Sequence, residues 1–366
     1  MRRDPGWDVL RSGFVMLVVL YHATYLAPLI YPDLLPRRFV FSHQIGASLL
    51  LVVSAYFACA TLGRHPPGRY WWGRVARMVP AFLVAVVLAW LLLRYVSPVQ
   101  WWRPGGRDLL SNWLLLGNWE PARFPFVDGS YWTLPLQLMA FTAAAVLYAT
   151  GFGSGRRLRV VLWAAVLVPL AQWPYRLGGP AEPYRMLVDG FGFHRLHLFV
   201  AGAAVWLWST RRIGHLHAAA LLGVCELAQF VHTLTPPPGG WAGSAGWSED
   251  WYSTIGVGVG IALVAVIARL PHLGRRAPGP VAAAGRWLAG ISYGVYLVHQ
   301  TIGYVLMRRL QDLGIGPTLQ SAAMITAAVL LGWALTITVE RPAHQALLAA
   351  YDRLAHRTPG HERSPP

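Results

Sequence analysis

The sequence predicts an all-α polytopic membrane protein, with about ten transmembrane helices in one bundle. Three observations carry this. Only 13% of the 366 residues are charged while 55% are hydrophobic, roughly half the charged share of a soluble domain. About ten apolar stretches come near the roughly 20 residues that a helix needs to cross a hydrocarbon core. The 31 basic residues, every one of them Arg, fall in short clusters between those stretches. A chain of 366 residues, which would suggest two soluble domains at roughly 150 residues each, then reads as one membrane domain over 1–350. The polar tail at 351–366, with Thr358-Pro359-Gly360 and a Ser364-Pro365-Pro366 end, predicts disorder.

The expected spans are 10–30, 44–62, 78–96, 131–150, 158–175, 192–210, 215–234, 251–269, 287–307 and 319–339. Arg2 and Arg3 ahead of the first imitate a signal peptide. Its apolar core runs from Phe14 to Ile30, longer than the usual h-region of about 7–15 residues, and no clear small-x-small cleavage site follows, so it reads as a retained helix. Between the third and fourth spans, Leu109 to Trp119 is apolar but too short to cross, which suits an interfacial or re-entrant piece. Val99 to Arg107, Trp119 to Tyr131 and Pro236 to Trp251 are rich in Trp, Pro and Gly and predict ordered loops, aromatic belts and a lid over a cavity. Gly256-x-Gly258-x-Gly260 lies inside an apolar span with no preceding strand, so it predicts close helix packing and not a dinucleotide loop.

Charge placement sets the topology. The net charge of +16 is divided among loop-sized clusters, a pattern of cytoplasmic membrane loops and not of nucleic-acid binding. With both termini in the cytoplasm of a multi-pass cell-membrane protein, the inner segments collect 20 of the 31 arginines. Arg37, Arg38, Arg308 and Arg309 stand against this arrangement. Cys59 and Cys225 lie inside apolar runs and suggest neither a disulfide framework nor a thiolate metal site.

The polar residues inside the apolar runs point to a cavity. Arg11 and His22 are eleven apart, which is about 1100° of helix, only about 20° from three turns, with a rise of about 16 Å. They share one face, and ionisable groups at that depth usually line cavities. Arg74 and Arg77 share a stripe with Tyr70 at the inner mouth. Thr133 and Gln137 lie four apart with Pro135 between them, and Ser292, Tyr296 and His299 make a polar stripe on the ninth span. His194 and His197, near Asp189, have a possible ligand spacing, but no second cluster supports them and no metal is expected. Glu226 and Gln229 read equally as substrate ligands or as partners of an arginine. Glu340-Arg341 reads as an ion-pairing element that holds a neighbouring helix or loop.

Several stretches together resemble acyltransferase family 3, integral membrane enzymes that move acyl groups, commonly acetyl, onto hydroxyls of sugars, lipids and natural products. Asp8-x-x-Arg11 followed by His22 resembles the first-helix signature. Leu51-Val52-Val53-Ser54-Ala55-Tyr56-Phe57 resembles the second-helix run, with Ala55 where Gly is usual. Tyr70-Trp71-Trp72-Gly73-Arg74-Val75-Ala76-Arg77-Met78-Val79-Pro80 resembles the Arg-x-x-Arg segment. Tyr131-Trp132-Thr133-Leu134-Pro135-Leu136-Gln137 resembles the Trp-Ser-Leu-x-x-Glu run, with Gln137 in place of the customary carboxylate. Ile291 to His299 and Glu340-Arg341-Pro342 resemble the late motifs, so the likeness spans Asp8 to Pro342 in the usual order.

The resemblance implies an acyl-CoA co-substrate, most simply acetyl-CoA, and a hydroxyl on a sugar, lipid or secondary metabolite as acceptor. A small-molecule or glycan acceptor and membrane lipid are then the expected partners. His22 is expected as the base, whose ordinary pKa of about 6.5 suits proton exchange at neutral pH, with Arg11 on the same face at the inner mouth, about 16 Å away, counted with it as catalytic. A transient acyl-histidine is an open variant. Arg74 and Arg77 would hold the CoA phosphates through forked hydrogen bonds, with Tyr70 on the same stripe as a further cofactor contact, at a depth that a pantetheine arm can bridge to His22. Trp132, Gln137, Ser292, Tyr296 and His299 would meet the substrate. A neutral amide at Gln137 cannot accept a proton at neutral pH, which keeps open a transporter or flippase on the same fold, or a membrane enzyme of another reaction class using the same cavity.

Overall fold

The computed structural model describes residues 4–179, 181–234 and 251–357. In chain order, short turns aside, its helices are α1 (Pro5–Tyr21), α2 (Ile45–Leu62), α3 (Pro67–Leu91), α4 (Gly106–Trp113), α5 (Thr133–Ala149), α6 (Gly155–Ala171), α7 (Glu182–Gly190), α8 (Leu196–Ser209), α9 (His215–Thr233), α10 (Trp251–Arg269), α11 (Gly279–Val298), α12 (Gln300–Asp312), α13 (Pro317–Leu335) and α14 (Arg341–Arg357). No strand occurs among the described residues. Their starts follow local chemistry. The Asp4 carboxylate accepts the Gly6 N–H at 2.9 Å, and Pro5 opens α1 where a missing N–H costs nothing. Proline likewise opens α3, α11 and α13.

Nine helices among the described residues are long and apolar enough to cross a membrane. The tenth expected span, 192–210, is the 14-residue α8 behind a short 3₁₀ turn at Phe193–Arg195, about 21 Å long against a hydrocarbon core of about 30 Å. The non-crossing piece expected after the third span is α4 and a 3₁₀ turn at Leu116–Asn118.

Two expectations are corrected. The span at 287–307 is not one helix, because α11 ends at Val298 and α12 starts at Gln300, with His299 at the break. The tail does not begin at 351, because α14 runs on to Arg357. Arg69 of α3 grips Asp352 through two hydrogen bonds of 2.8 and 2.9 Å, Tyr351 stacks near Trp72, and Trp72 donates to the Leu347 carbonyl at 3.0 Å. Arg2, Arg3, the proposed lid at 236–250 and the tail at 358–366 lie outside the described residues.

The bundle has two apolar cores, one around α1, α3, α11 and α13, the other around α2, α6, α8, α9 and α10. Helix α1 stands between them, packed on α11 and α2, with Ser12 donating to the Gly285 carbonyl at 2.8 Å. Small residues let the backbones approach, as the Gly-x-Gly-x-Gly run predicts: Gly256 and Gly260 of α10 face Ile45 and Leu49 of α2. Helices α11 and α13 cross where Gly294 meets Gly332, each leaving no room for a Cβ. Three π-helical turns interrupt the long helices, at His22–Leu26, Leu92–Val96 and Thr336–Glu340.

Three of the four arginines that opposed the topology are engaged locally. Arg37 is buried and donates to Gln320 Oε1 at 2.8 Å. Arg308 pairs with Asp33 at 3.1 Å and Asp312 at 2.6 Å, and Arg309 reaches Asp312 at 4.0 Å.

The crossing at Gly294 and Gly332 makes a prediction. Gly332→Ala forces α11 and α13 apart and should destabilise the protein by about 1–3 kcal/mol. Gly223→Ala, with nothing within 4 Å of its added Cβ, should leave the detergent-solubilised unfolding temperature equal or raise it.

Candidate active site

A cavity of about 1300 Å³ opens at the end of the bundle where the arginines gather and runs inward between α1, α2, α3, α5 and α11. Its lining includes Arg11, Arg64, Arg74, Arg77, Arg212, Arg275 and Arg341, and among the described residues the only carboxylates there are those of Asp4 and Asp8. Ala47, Thr133 and Tyr296 also belong to its lining. The chemistry of this mouth suits a polyanion, because guanidinium forks bind phosphate oxygens bidentately.

Six of the expected site residues line this space: Arg11, Arg74, Arg77, Gln137, Ser292 and Tyr296. Arg74 is held in place by Thr61 Oγ1 at 2.8 Å and by the faces of Tyr70 and Phe141, whose centroids are 5.3 and 5.0 Å away. Tyr70 is buried beneath it and is not part of the lining. Arg77 pairs with Glu340 at 3.1 Å, which in turn accepts from Thr336 at 3.1 Å. That pair ties α3 to the π turn before α14, as Glu340-Arg341 predicts in part: Glu340 is the partner, and Arg341 instead faces the cavity. Gln137 accepts from Ser54 Oγ at 3.3 Å. Trp132 lies outside the lining, with the Arg195 guanidinium 4.7 Å above its ring.

Neither His22 nor His299 is in that lining. His22 starts the π turn after α1, is 5% exposed, and its ring meets that of His299 edge-on at 4.6 Å. The His299 ring is 5.7 Å from that of Tyr296, which does line the cavity. His22 Nδ1 donates to the Val18 carbonyl and His299 Nδ1 to the Tyr296 carbonyl, both at 2.8 Å. A carbonyl only accepts, so both neutral rings carry their lone pair on Nε2. His299 Nε2 is buried with no hydrogen-bond partner. Tyr296 Oη donates to the Ser130 carbonyl and receives Thr133 Oγ1, each at 2.8 Å, which fixes the phenol between the cavity and the His299 ring.

The break that frees His299 comes from a segment whose role the sequence did not disclose. Asp128 is 1% exposed and accepts the Ser130 N–H at 2.9 Å, the Ser130 hydroxyl at 2.5 Å and the Thr301 N–H at 2.8 Å. In a continuous helix the Thr301 N–H would bond the Leu297 carbonyl. That carbonyl instead accepts Tyr131 Oη at 3.1 Å, and Thr301 Oγ1 donates to the Val127 carbonyl at 2.8 Å. Residues 127–131 thus substitute for the missing turn and part α11 from α12. Burial pushes the Asp128 carboxyl up, against the opposing hydrogen bonds of Ser130 and Thr301. The one signal available was Asp-Gly-Ser ahead of an apolar run, a helix-capping pattern.

Other polar candidates stay apart from this site. His197 Nε2 bonds Gln229 Oε1 at 2.9 Å, and His194 lies 3.4 Å from Asp189, which Arg176 holds at 2.6 Å. Glu226 reaches neither and faces Gly258. Among the described residues no group of three or more His, Cys, Asp or Glu is placed to hold a metal ion.

A family model described as an acyltransferase domain matches residues 4–337, nearly the whole chain. No curated protein and no solved structure matches it.

Asp128→Ala should leave the Thr301 and Ser130 donors buried without an acceptor and lower stability by about 2–5 kcal/mol, since each such group costs about 1–3 kcal/mol. Thermal unfolding in detergent measures this, and an unchanged midpoint would show that the α11–α12 break does not depend on the carboxylate.

Proposed function

We propose that this chain, which belongs to the acyltransferase family matched over residues 4–337, moves an acyl group, most simply acetyl, from acyl-CoA to a hydroxyl of a sugar, lipid or secondary metabolite. The observation that carries the reading is a polyanion-sized cavity lined by seven guanidiniums and by Tyr296, whose ring stands beside the paired imidazoles of His299 and His22. The arginine-rich end would face the cytoplasm, where acyl-CoA is made, in a multi-pass protein of the cell membrane. Arg74 and Arg77 would hold the donor's phosphates, with Arg77 exchanging Glu340 for phosphate oxygen, and Tyr70 would fix Arg74 from below. Pantetheine would lie along Gln137 and Ser292, bringing the thioester to Tyr296 and Thr133.

In the reaction, the acceptor oxygen bonds to the thioester carbonyl carbon as its proton passes to His22 Nε2. The tetrahedral oxyanion then collapses, breaking the carbon–sulfur bond, and the thiolate takes the proton back from the imidazolium. The Val18 carbonyl supports this role because it holds the His22 proton on Nδ1 and leaves Nε2 basic. His299 would orient His22 and the acceptor from the side, and Trp132 would support the same end of the site through its contacts in both cores. Arg11, on the His22 face of α1, would keep negative charge at the mouth. Gln137, an amide where the family resemblance implies a carboxylate, would orient the donor by hydrogen bonds without exchanging a proton.

Purified protein given labelled acetyl-CoA should transfer the label to a hydroxyl acceptor or hydrolyse the thioester slowly. If neither occurs while the reconstituted protein moves a solute across vesicles, the chain is a transporter and this reading fails. His22→Ala should cut turnover by about 10²–10⁴-fold with an unchanged unfolding temperature. Arg74→Ala with Arg77→Ala should weaken donor binding about 10- to 100-fold, the loss expected for charge-assisted contacts of about 1.5–3 kcal/mol, measured by calorimetry with a non-hydrolysable acyl-CoA analogue.

A further inference from the structure

A second basic cavity lies at the same end of the bundle, outside the proposed reaction path. It measures about 360 Å³ and sits among the ends of α6, α8, α9 and α10. Arg159, Arg211, Arg212 and Arg269 converge on it around Trp208 and His215, and among the described residues no carboxylate lines it. Arg212 also borders the large cavity, so both open at one level of the bundle. Four like charges gathered without an acid repel one another unless an anion joins them.

The supporting contacts keep these groups in place. Arg269 donates to the Ser209 carbonyl at 3.2 Å and lies 5.6 Å from the Trp208 ring. Arg212 lies 4.5 Å from the Trp206 ring. Trp208 Nε1 donates to His215 Nδ1 at 3.0 Å, which puts the His215 proton on Nε2 as a further donor. Arg211 adopts φ +60 at the end of α8, where Arg212 N–H reaches back to the Leu207 carbonyl at 2.8 Å. Helices that end this way ordinarily place Gly there, and an arginine in that conformation is strained.

The flanks are apolar and open. Val160, next to Arg159, is 60% exposed, and Leu216, next to His215, is 85% exposed. An anion bound here has hydrocarbon surface beside it, in a helical bundle long and apolar enough to cross a bilayer.

We propose that this cavity binds the phosphate of an anionic phospholipid headgroup, with the acyl chains running down the exposed faces of α6 and α9. Basic pockets between helices at the interface recognise such headgroups by charge and by hydrogen bonds to phosphate. A soluble phosphate, including the nucleotide end of the donor, offers the same oxygens without the hydrocarbon.

The test uses the full chain in phosphatidylcholine nanodiscs doped with phosphatidylglycerol, with retained lipid counted by native mass spectrometry. Wild type should retain phosphatidylglycerol over phosphatidylcholine. Arg159→Gln with Arg211→Gly should reduce that preference by about tenfold or more, while its unfolding temperature in phosphatidylcholine stays equal or rises, because Gly suits the positive φ. Arg156→Gln with Arg157→Gln, two neighbouring arginines outside the cavity, should retain the lipid as wild type does. An unchanged preference in the first variant, or an equal loss in the second, overturns the proposal. So does displacement of the bound lipid by inorganic phosphate or adenosine 3′,5′-bisphosphate at micromolar concentration, which would assign the cavity to a soluble phosphate.

Discussion

The arrangement of the site depends on one buried carboxylate. Asp128 takes an N–H away from the helical ladder at Thr301 and returns hydrogen bonds from Ser130, while Tyr131 satisfies the carbonyl that the ladder abandons. A helix opened inside an apolar bundle would otherwise leave polar groups bare, at several kcal/mol each in hydrocarbon. Because the Thr301 N–H and the Leu297 and Tyr296 carbonyls all find partners, the opening is tolerated. It sets His299 at a junction, with its ring against His22 and its Nδ1 proton on the Tyr296 carbonyl.

The second organising feature is the uneven distribution of guanidinium. The large cavity, the adjoining smaller one and the Arg69–Asp352 and Arg77–Glu340 pairs all lie at one end of the bundle. Two kinds of arginine result. Arg69 and Arg77 are neutralised by carboxylates and join α3 to α14 and to the turn before it, whereas Arg74 rests on aromatic faces and a hydroxyl, which keep it oriented without cancelling its charge. At the opposite end, Arg308 is compensated by Asp33 and Asp312, and Arg37 is buried against Gln320. Local pairing is why these arginines coexist with a charge bias toward the other side.

Most of the spans and the short non-crossing piece were legible in the sequence because hydropathy reports directly on which segments can leave water, and the family was legible in the order of its motifs. The shared face of Arg11 and His22 was partly legible. It follows from helical geometry, and α1 stays regular up to Tyr21, but the spacing does not say that Arg11 would line the cavity while His22 would not. The histidine pairing was hidden because His22 and His299 are 277 positions apart, and only the fold brings them to 4.6 Å. Asp128 was hidden for a related reason: its partners include Thr301, far along the chain.

The sequence by itself therefore determined the solvent of this protein, its helical class, its family and six of the groups that face the large cavity, since those are consequences of composition, periodicity and local motif. The tertiary structure alone decided which polar groups meet. Tyr351 and Asp352 belong to an ordered helix because α3 supplies Arg69 and Trp72, and the span at 287–307 is broken because residues 127–131 satisfy its backbone from outside. Both are long-range hydrogen-bonding outcomes, whose free energy depends on a partner that the local sequence does not contain.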